Sequence, residues 1–526
     1  MTAAYAQHVS TRATPQSQPI PGTAQVANSA GGFAWQVDCW TRLKRFLIIS
    51  TESGSYYATE KDATISSCEA LAECAKIDAA KTAALVATIS DEGRAPKNAP
   101  AVFCLAWLAG NGYAEHALPY LPKVARIGTD LFAFAESVQH FRGWGRGLRR
   151  AIAEWYDAKP LSQISYQCAK YQSRNGWSHR DLLRLAHPKT TDELRNALYR
   201  WAVGKPVELP GAPDLMPVWA MEAAKKSATA KEIVRLVREC RLVRECIPTE
   251  HLNSAEVWDA LLDEMPITAM IRNLGKMSAV GLLAPMSAAS KTVCERLRDQ
   301  ERLKRGRVHP LAVLLAQGVY GAGHGLKGSL KWTTVSQVVD ALDDAFYAAF
   351  AAVEATGKRW LLGIDSSSSM TSGGVAGTSI SPRKAAAAMA LVTANIEAQH
   401  HFCAFTTIIQ EMNVSPRQRI DDVVRTVAGY PCGGTDCSLP MRYALEKKIP
   451  VDVFVVLTDS QSWAGPVHAS QALTQYRKKT GIPAKAVCVG MVANSFSVLD
   501  PNDAGSLDVV GFDTNVPTVM AEFCRG

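Results

Sequence analysis

At 526 residues the chain is too long for one hydrophobic core, so at least two domains follow. A hydrophobic content of 47%, 20% charged residues and a mean hydropathy of −0.04 describe a soluble, globular protein. The longest apolar run, around Ala99–Ala109, falls short of the ~20 residues a spanning helix needs, which excludes a transmembrane chain.

The net charge of +8 is unevenly placed. From Arg359 to the end, 14 basic residues balance 14 acidic ones, whereas between Lys123 and Lys205 15 basic residues face 7 acidic ones. The whole surplus equals that of one segment, and a surplus focused this way points to a polyanionic partner. The 13 cysteines are odd in number and form no CxxC pair, which argues against zinc. Cys104, Cys168, Cys403 and Cys488 sit in apolar stretches as small core residues. Reduced thiols of a cytoplasmic protein are the simplest reading.

Residues 1–30 are rich in Ala, Thr, Gln and Pro, without a basic start or apolar centre. They read as a mobile tail and not a signal peptide. Residues 31–356 form the first domain, with helical periodicity at Ser66–Ser90, Val124–His140, Leu148–Trp155, Lys231–Cys246, Glu256–Leu262 and Val335–Glu354. A long array of helices without strands predicts a stacked, HEAT-like repeat architecture. One hexapeptide occurs twice, Arg235–Cys240 and Arg241–Cys246, but six residues turn a helix by ~600°, so it is no structural repeat.

The charge sits on consecutive helices. In Leu161–Ser173, Ile164, Cys168 and Tyr171 share one face. Tyr166, Lys170 and Arg174 follow at i, i+4, i+8 on another, an aromatic with two cations that suits a stacked base beside phosphates. Ser178 and Asp181 form a capping-box pattern for the next helix, whose apolar side is Leu182, Leu185 and Ala186 and whose polar side is Arg180, Arg184 and His187. Upstream, Arg142, Arg146, Arg149 and Arg150 add a second cluster, interleaved with Gly143, Trp144, Gly145 and Gly147. The set is read as an RNA-binding surface.

Residues 357–526 change texture. Short apolar runs at Trp360–Ile364, His401–Phe405, Val451–Thr458 and Lys485–Val489 alternate with helical stretches at Arg383–Glu397, Leu439–Lys447 and His468–Lys479. This predicts an α/β doubly wound, Rossmann-like sheet, whose ligands bind beyond the carboxyl ends of the strands. Directly after the first strand, Asp365 to Ser369 fits D-x-S-x-S. Gly433-Gly434-Thr435-Asp436 precedes a helix and Asp459 ends a later strand, all at one predicted edge. Carboxylates and hydroxyls gathered there are hard oxygen donors suited to Mg²⁺. No nucleophile–base pair accompanies them, so the protein is read as non-enzymatic.

The metal loops resemble the metal-ion-dependent adhesion site of von Willebrand A domains. That likeness implies Asp365, Ser367, Ser369, Thr435 and Asp459 as ligands. Further, the runs Gly143–Tyr156, Ala169–Lys189, Glu264–Met277, Leu330–Tyr347, Gly433–Met441 and Gly511–Thr514 resemble the Ro autoantigen (TROVE) family over nearly the whole chain after the tail. Val203–Ser227 departs from it by being more compact than in animal members. The resemblance implies a ring of HEAT-like helical repeats whose ends are joined by the A domain. It also implies a hole that takes single-stranded 3′ ends of misfolded non-coding RNA, and an outer basic surface that binds small Y-like RNA. Lys170, Arg174 and His187 fall in the segment the family associates with RNA contact. A role in RNA quality control or decay follows, with a 3′–5′ exoribonuclease such as polynucleotide phosphorylase as a partner. An alanine-rich, compact chain points to a bacterial or phage member. The alternative is a protein-adhesion or scaffold module that grips a partner carboxylate through the metal.

Overall fold

The structure, a computed structural model, describes residues 13–525 apart from 53, 210, 327, 351–352, 416–417 and 431. Part of the stretch read as a tail is docked. Residues 1–12 lie outside the described residues, but from Thr14 onward the chain is laid along the second domain. Gln16 N–H donates to Gly465 O at 3.1 Å and Asn28 Nδ2 to Ser462 O at 2.7 Å. Val26–Ala27 (β1) and Phe33–Gln36 (β2) pair, and β2 also pairs with Phe496–Ser497 of the A domain. A polar composition concealed this, because the anchoring uses backbone and amide hydrogen bonds more than apolar burial.

The helical domain follows the predicted periodicity, with breaks that local chemistry explains. The Ser66–Ser90 run splits into Glu60–Ile77 and Ala79–Glu92. Asp78, extended at φ −158°, ends the first helix, and its carboxylate caps the second by accepting from Lys81 N–H at 2.8 Å. The Lys231–Cys246 run ends at Cys240, where Arg241 turns into the left-handed region at φ 53°. The two hexapeptide copies are therefore the end of an α-helix and a turn that closes in a short 3-10 helix, Arg244–Cys246. The basic helix also stops early. It spans Leu161–Lys170 and gives way to a hairpin of Ser173–Arg174 (β3) and Trp177–Ser178 (β4), with Asn175 and Gly176 at positive φ in its turn.

The array returns on itself. Arg307, from the turn before the Pro310–Ala322 helix, donates through Nη2 to Asp91 Oδ1 at 2.8 Å and through Nε to Asp91 O at 2.7 Å. His309 Nε2 meets Arg94 O at 3.1 Å. Early and late helices, more than 200 residues apart in sequence, are thereby closed into a ring.

The second domain is a six-stranded sheet of Arg359–Asp365 (β5), Gln399–Phe405 (β6), Ile409–Met412 (β7), Val453–Thr458 (β8), Lys485–Gly490 (β9) and Ser506–Val510 (β11). The Phe496–Ser497 strand (β10) stands apart from it, on β2. The order is β11-β9-β8-β5-β6-β7, parallel except for the antiparallel edge strand β7. Alternate residues serve opposite faces. Leu362, Ile364, Val455, Leu457, Val487 and Val489 belong to the core shared with the helical domain. Leu361, Phe454, Val456, Ala486 and Cys488 belong to a second core with Met441, Ala444, Ala472 and Tyr476. Both faces are covered by helices, as a parallel sheet requires.

The A domain is held from both ends of the helical array. Fully buried Arg45 donates to Asp508 Oδ1 at 2.6 Å, to Asn494 O and Oδ1 at 2.9 and 2.8 Å, and to Phe496 O at 2.9 Å. Arg94 Nε donates to Asp513 Oδ1 at 3.0 Å. On the other side Arg419 pairs with Asp340, and Ile420 N–H donates to Asp343 Oδ1 at 3.3 Å.

Candidate metal site and basic surface

The three metal loops leave the carboxyl ends of β5 and β8 and the turn before the Leu439–Glu446 helix, and they meet. Asp365, Ser367, Ser369, Thr435 and Asp459 are all buried. Asp365 Oδ1 accepts the Ser367 backbone N–H at 2.9 Å, which curls the loop back over the strand end. The Ser367 and Ser369 hydroxyl oxygens lie 3.1 Å apart. Asp459 Oδ1 accepts from Gln461 N–H at 3.1 Å, and the Ser369 side chain also hydrogen-bonds Asp459. The Thr435 loop is fixed through its carbonyl, which accepts N–H bonds from Trp463 and Ala464 at 3.1 and 3.0 Å.

The electrostatics expose an imbalance. Burial pushes the Asp459 carboxyl up to about 7, with the charge of Asp365 adding to it. Burial likewise raises Asp365, against the hydrogen bonds from Ser367 and Thr458. Two carboxylates removed from water repel each other. Among the described residues the buried Thr435 Oγ1 has no hydrogen-bond partner, an orphaned acceptor of the kind folded proteins avoid. The donor set of two carboxylates and three hydroxyls therefore fits a hard divalent cation. Among the described residues there is no group of three or more His, Cys, Asp or Glu side chains suited to a metal, so softer-ligand sites of that kind are not seen.

Three contributors escaped the sequence reading. Thr458 Oγ1 donates to Asp365 Oδ2 at 2.5 Å. Buried Arg383 lies 3.4 Å from Ser366 O and lowers Asp365 by its charge. Asn494 Nδ2 donates to Asp459 O. Thr458 directly precedes Asp459 and had a local signal; the other two come from distant positions and had none. Asp436, beside Thr435, serves the fold instead. It accepts from Ser438 N–H and Oγ at 3.0 and 2.5 Å and so fixes the turn before its helix.

The Arg146–Asp157 and His179–Ala186 helices pack against each other, and both carry exposed arginines. Arg146, Arg149 and Arg150 are exposed on the Arg146–Asp157 helix, and Arg180 and Arg184 on the His179–Ala186 helix. Trp144 and Trp177 join the two clusters, with ring centres 5.2 Å apart. The Ser178–Asp181 capping box is present, and Leu182 and Leu183 take the buried side. His187 ends that helix in the left-handed region at φ 48°, exposed. Arg142 is half-buried and donates to Ala109 O at 2.9 Å. Lys170 Nζ donates to the Tyr166 hydroxyl at 3.0 Å and sits 5.3 and 5.4 Å from the Tyr166 and Tyr171 ring centres. The predicted line Tyr166–Lys170–Arg174 is interrupted, since Arg174 is exposed on β3 and not on the helix. Tyr171 and Gln172 leave helical geometry there because the turn must deliver the chain into the hairpin.

His179 escaped notice in the sequence. Its Nδ1 accepts from the Tyr156 hydroxyl at 2.7 Å, and burial depresses its pKa to about 4. It fixes the base of the Arg180–Arg184 helix. Among the described residues no helix is long and apolar enough to cross a membrane.

A closed helical array clasped at both ends by a von Willebrand A-like domain defines the class of protein. The family model "Ro60 vWA domain" matches residues 359–524, and "TROVE domain" matches residues 26–232 and 234–319. The chain belongs to the Ro60 (TROVE) family. It is 38% identical over 508 residues to the RNA-binding protein RO60 of Deinococcus radiodurans, covering 95% of this chain and 96% of that one. It is 34% identical over 583 residues to the RNA-binding protein RO60 of Caenorhabditis elegans, covering 95% and 90%. The crystal structure of Deinococcus radiodurans RO (RSR) protein matches with a TM-score of 0.71 at 38% identity, covering 93% of this chain and all of that one.

Proposed function

We propose that this protein is a non-enzymatic, cytoplasmic RNA clamp. Small Y-like RNA lies on the surface formed by Arg142, Arg146, Arg149, Arg150, Tyr166, Lys170, Arg174, Arg180, Arg184 and His187, and the single-stranded 3′ end of misfolded RNA enters the ring. The observation that carries the reading is the set of exposed arginines on two adjoining helices, in a chain whose relatives are named RNA-binding proteins. Guanidinium groups meet phosphates in bidentate fashion, and side chains reach RNA mostly through its backbone and unpaired bases. A role in RNA quality control, with a 3′–5′ exoribonuclease as partner, extends the reading.

Mg²⁺ is the proposed occupant of the metal site, held by Asp365, Ser367, Ser369, Thr435 and Asp459, with either carboxylate acting directly or through water. When bound, it supplies positive charge that neutralises two buried carboxylates and fixes three loops. The chain's own residues supply the rest: Thr458 and Ser367 orient Asp365, and Gln461 orients Asp459. Gel-shift titrations on matched RNAs with and without a single-stranded 3′ overhang test the function. Tighter binding of the overhang RNA is expected, because a ring admits one strand more readily than an A-form duplex. Equal affinity for both would refute threading.

A further inference from the structure

The two copies of the duplicated hexapeptide meet at a cavity of about 640 Å³ in the helical domain. The first copy lines it with Val237, Glu239 and Cys240, and the second with Arg241 to Glu245. The backbone makes this possible. Arg241 leaves its helix at φ 53°, a conformation that a long side chain adopts only at a cost, and the second copy then closes in its 3-10 turn. Cys246 Sγ donates to Ala169 O at 3.3 Å, which fixes that turn against the end of the Leu161–Lys170 helix. From that helix Tyr166 and Lys170 line the same cavity, with Lys170 Nζ donating to the Tyr166 hydroxyl at 3.0 Å. Met216, Pro217, Leu261, Met265 and Ala269 supply apolar wall. Size and lining are those of a small-molecule site, where apolar walls carry a few placed polar groups.

We propose that this cavity takes one unpaired nucleotide of the bound RNA, with a base that carries an exocyclic amine inside it and the phosphate at Arg241 and Arg244. This rests on the RNA reading above. The charges sort the possible occupants. Lys170, Arg241 and Arg244 are balanced by Glu239, Glu245 and Glu264. A run of phosphates would meet three carboxylates, and a plain hydrocarbon would desolvate charges without pairing them. A nucleotide satisfies both signs. Its base is a flat disc that stacks on an aromatic ring, its exocyclic amine donates to a carboxylate, and its phosphate needs cations. Arg241 and Arg244 are exposed, and among the described residues neither has an ion pair. Arg174, exposed on β3, stands just beyond Lys170 in the chain, so the cavity adjoins the surface assigned to RNA. An unpaired nucleotide enters at little cost, whereas one in a duplex must first be unstacked and unpaired.

The test uses the full chain, with octacytidylate, octauridylate and cytidine 5′-monophosphate as probes at one salt concentration. Cytosine and uracil differ in an exocyclic amine against a carbonyl oxygen. Wild type is therefore expected to bind octacytidylate about fivefold more tightly, the worth of one hydrogen bond. Ala269→Phe, which fills the cavity without touching a charge, is expected to abolish that preference. Arg241→Gly with Arg244→Ala suits the positive φ at 241 and removes both guanidinium groups. It is expected to weaken both octamers about tenfold and to keep the preference. Thermal melts are recorded for both variants, and either one that folds is sufficient. Equal affinity of wild type for the two octamers, or a folded Ala269→Phe protein that keeps the preference, overturns the cavity assignment, while continued binding of overhang RNA leaves the RNA reading in place. Monophosphate binding as tight as the octamer's would make the cavity a site for a free nucleotide and overturn its assignment to RNA. Wild type that binds neither octamer nor overhang RNA overturns both.

Discussion

Removing Arg146, Arg149 and Arg180 together measures the basic surface most directly. None of the three has an ion pair among the described residues, and all are exposed. Arg150 differs: it is tied to Glu154 at 2.7 Å across one helical turn. If each free guanidinium neutralises one phosphate, the slope of log K against log salt falls by about 0.7–0.9 per residue, or about 2–3 for the triple alanine variant. At a salt concentration near 0.1 M, a slope loss of ~2.4 corresponds to roughly two decades of affinity, or ~3 kcal/mol. Gel-shift titration over a range of monovalent salt reads both quantities. Arg150→Ala should lose less, since Glu154 already offsets its charge. Lys478→Ala with Lys479→Ala, on the neutral domain, should change neither slope nor affinity. An unchanged slope in the triple variant would refute the assignment and make these arginines ordinary solvated surface.

Three further outcomes follow from the geometry. His179 and His309 are buried and neutral, each satisfied as a donor to a carbonyl through Nε2 and an acceptor through Nδ1, with pKa values depressed from 6.5 to about 4. Each contributes stability that is present above the unfolded pKa and is lost as pH falls from about 6.5 toward 4, ~3 kcal/mol apiece; denaturation midpoints of wild type against His309→Gln over that window should show a shallower acid loss in the variant, and parallel curves would contradict it. Arg45→Ala strips four acceptors and leaves Asp508 facing the junction unpaired, so unfolding free energy should drop by about 3–5 kcal/mol, and a loss under ~1 kcal/mol would mean that the pair is not buried in solution. Asp365→Ala should abolish Mg²⁺ binding in calorimetry yet leave RNA affinity within about threefold, under ~0.7 kcal/mol; a folded variant that loses RNA tenfold would place the ion in the RNA path.

How much could be read beforehand depended on whether a feature was local. The candidate metal loops can be picked out because D-x-S-x-S follows an apolar strand directly, and β5, β8, β9 and the second half of β6 are buried apolar runs. β7 and β11 were missed because Ile409–Met412 and Ser506–Val510 lie at the two sheet edges with most of their residues near solvent, and so lack such a run. The break at Asp78 was hidden because alanines on both sides keep the helical period through it. Arg174 was placed on a helix because its i+8 spacing fits one, while the Asn175-Gly176 turn that forces the hairpin is only two residues long. Arg383 and Asn494 carry no local signal; their meaning exists only once distant loops meet at the sheet edge.

That meeting also explains the division of charge. The A domain is neutral in sum, yet several of its charges are engaged at the junction: Asp508 with Arg45, Asp513 with Arg94, and Arg419 with Asp340. Pairs of this kind are specific in direction and costly to break singly, so they fix how the clasp sits on the ring. Arg146, Arg149 and Arg180, by contrast, have no such partners among the described residues. Exposed and unpaired, they remain hydrated and available to a polyanion, at an energy that salt tunes. A cation placed in the clasp would be consumed by geometry, and a carboxylate placed on the arginine face would cancel the attraction. The sequence keeps the two sets apart, with the candidate RNA-contacting residues ending at His187 and the candidate metal loops beginning at Asp365, which is why the arginine face is expected to go on binding when Asp365 is replaced.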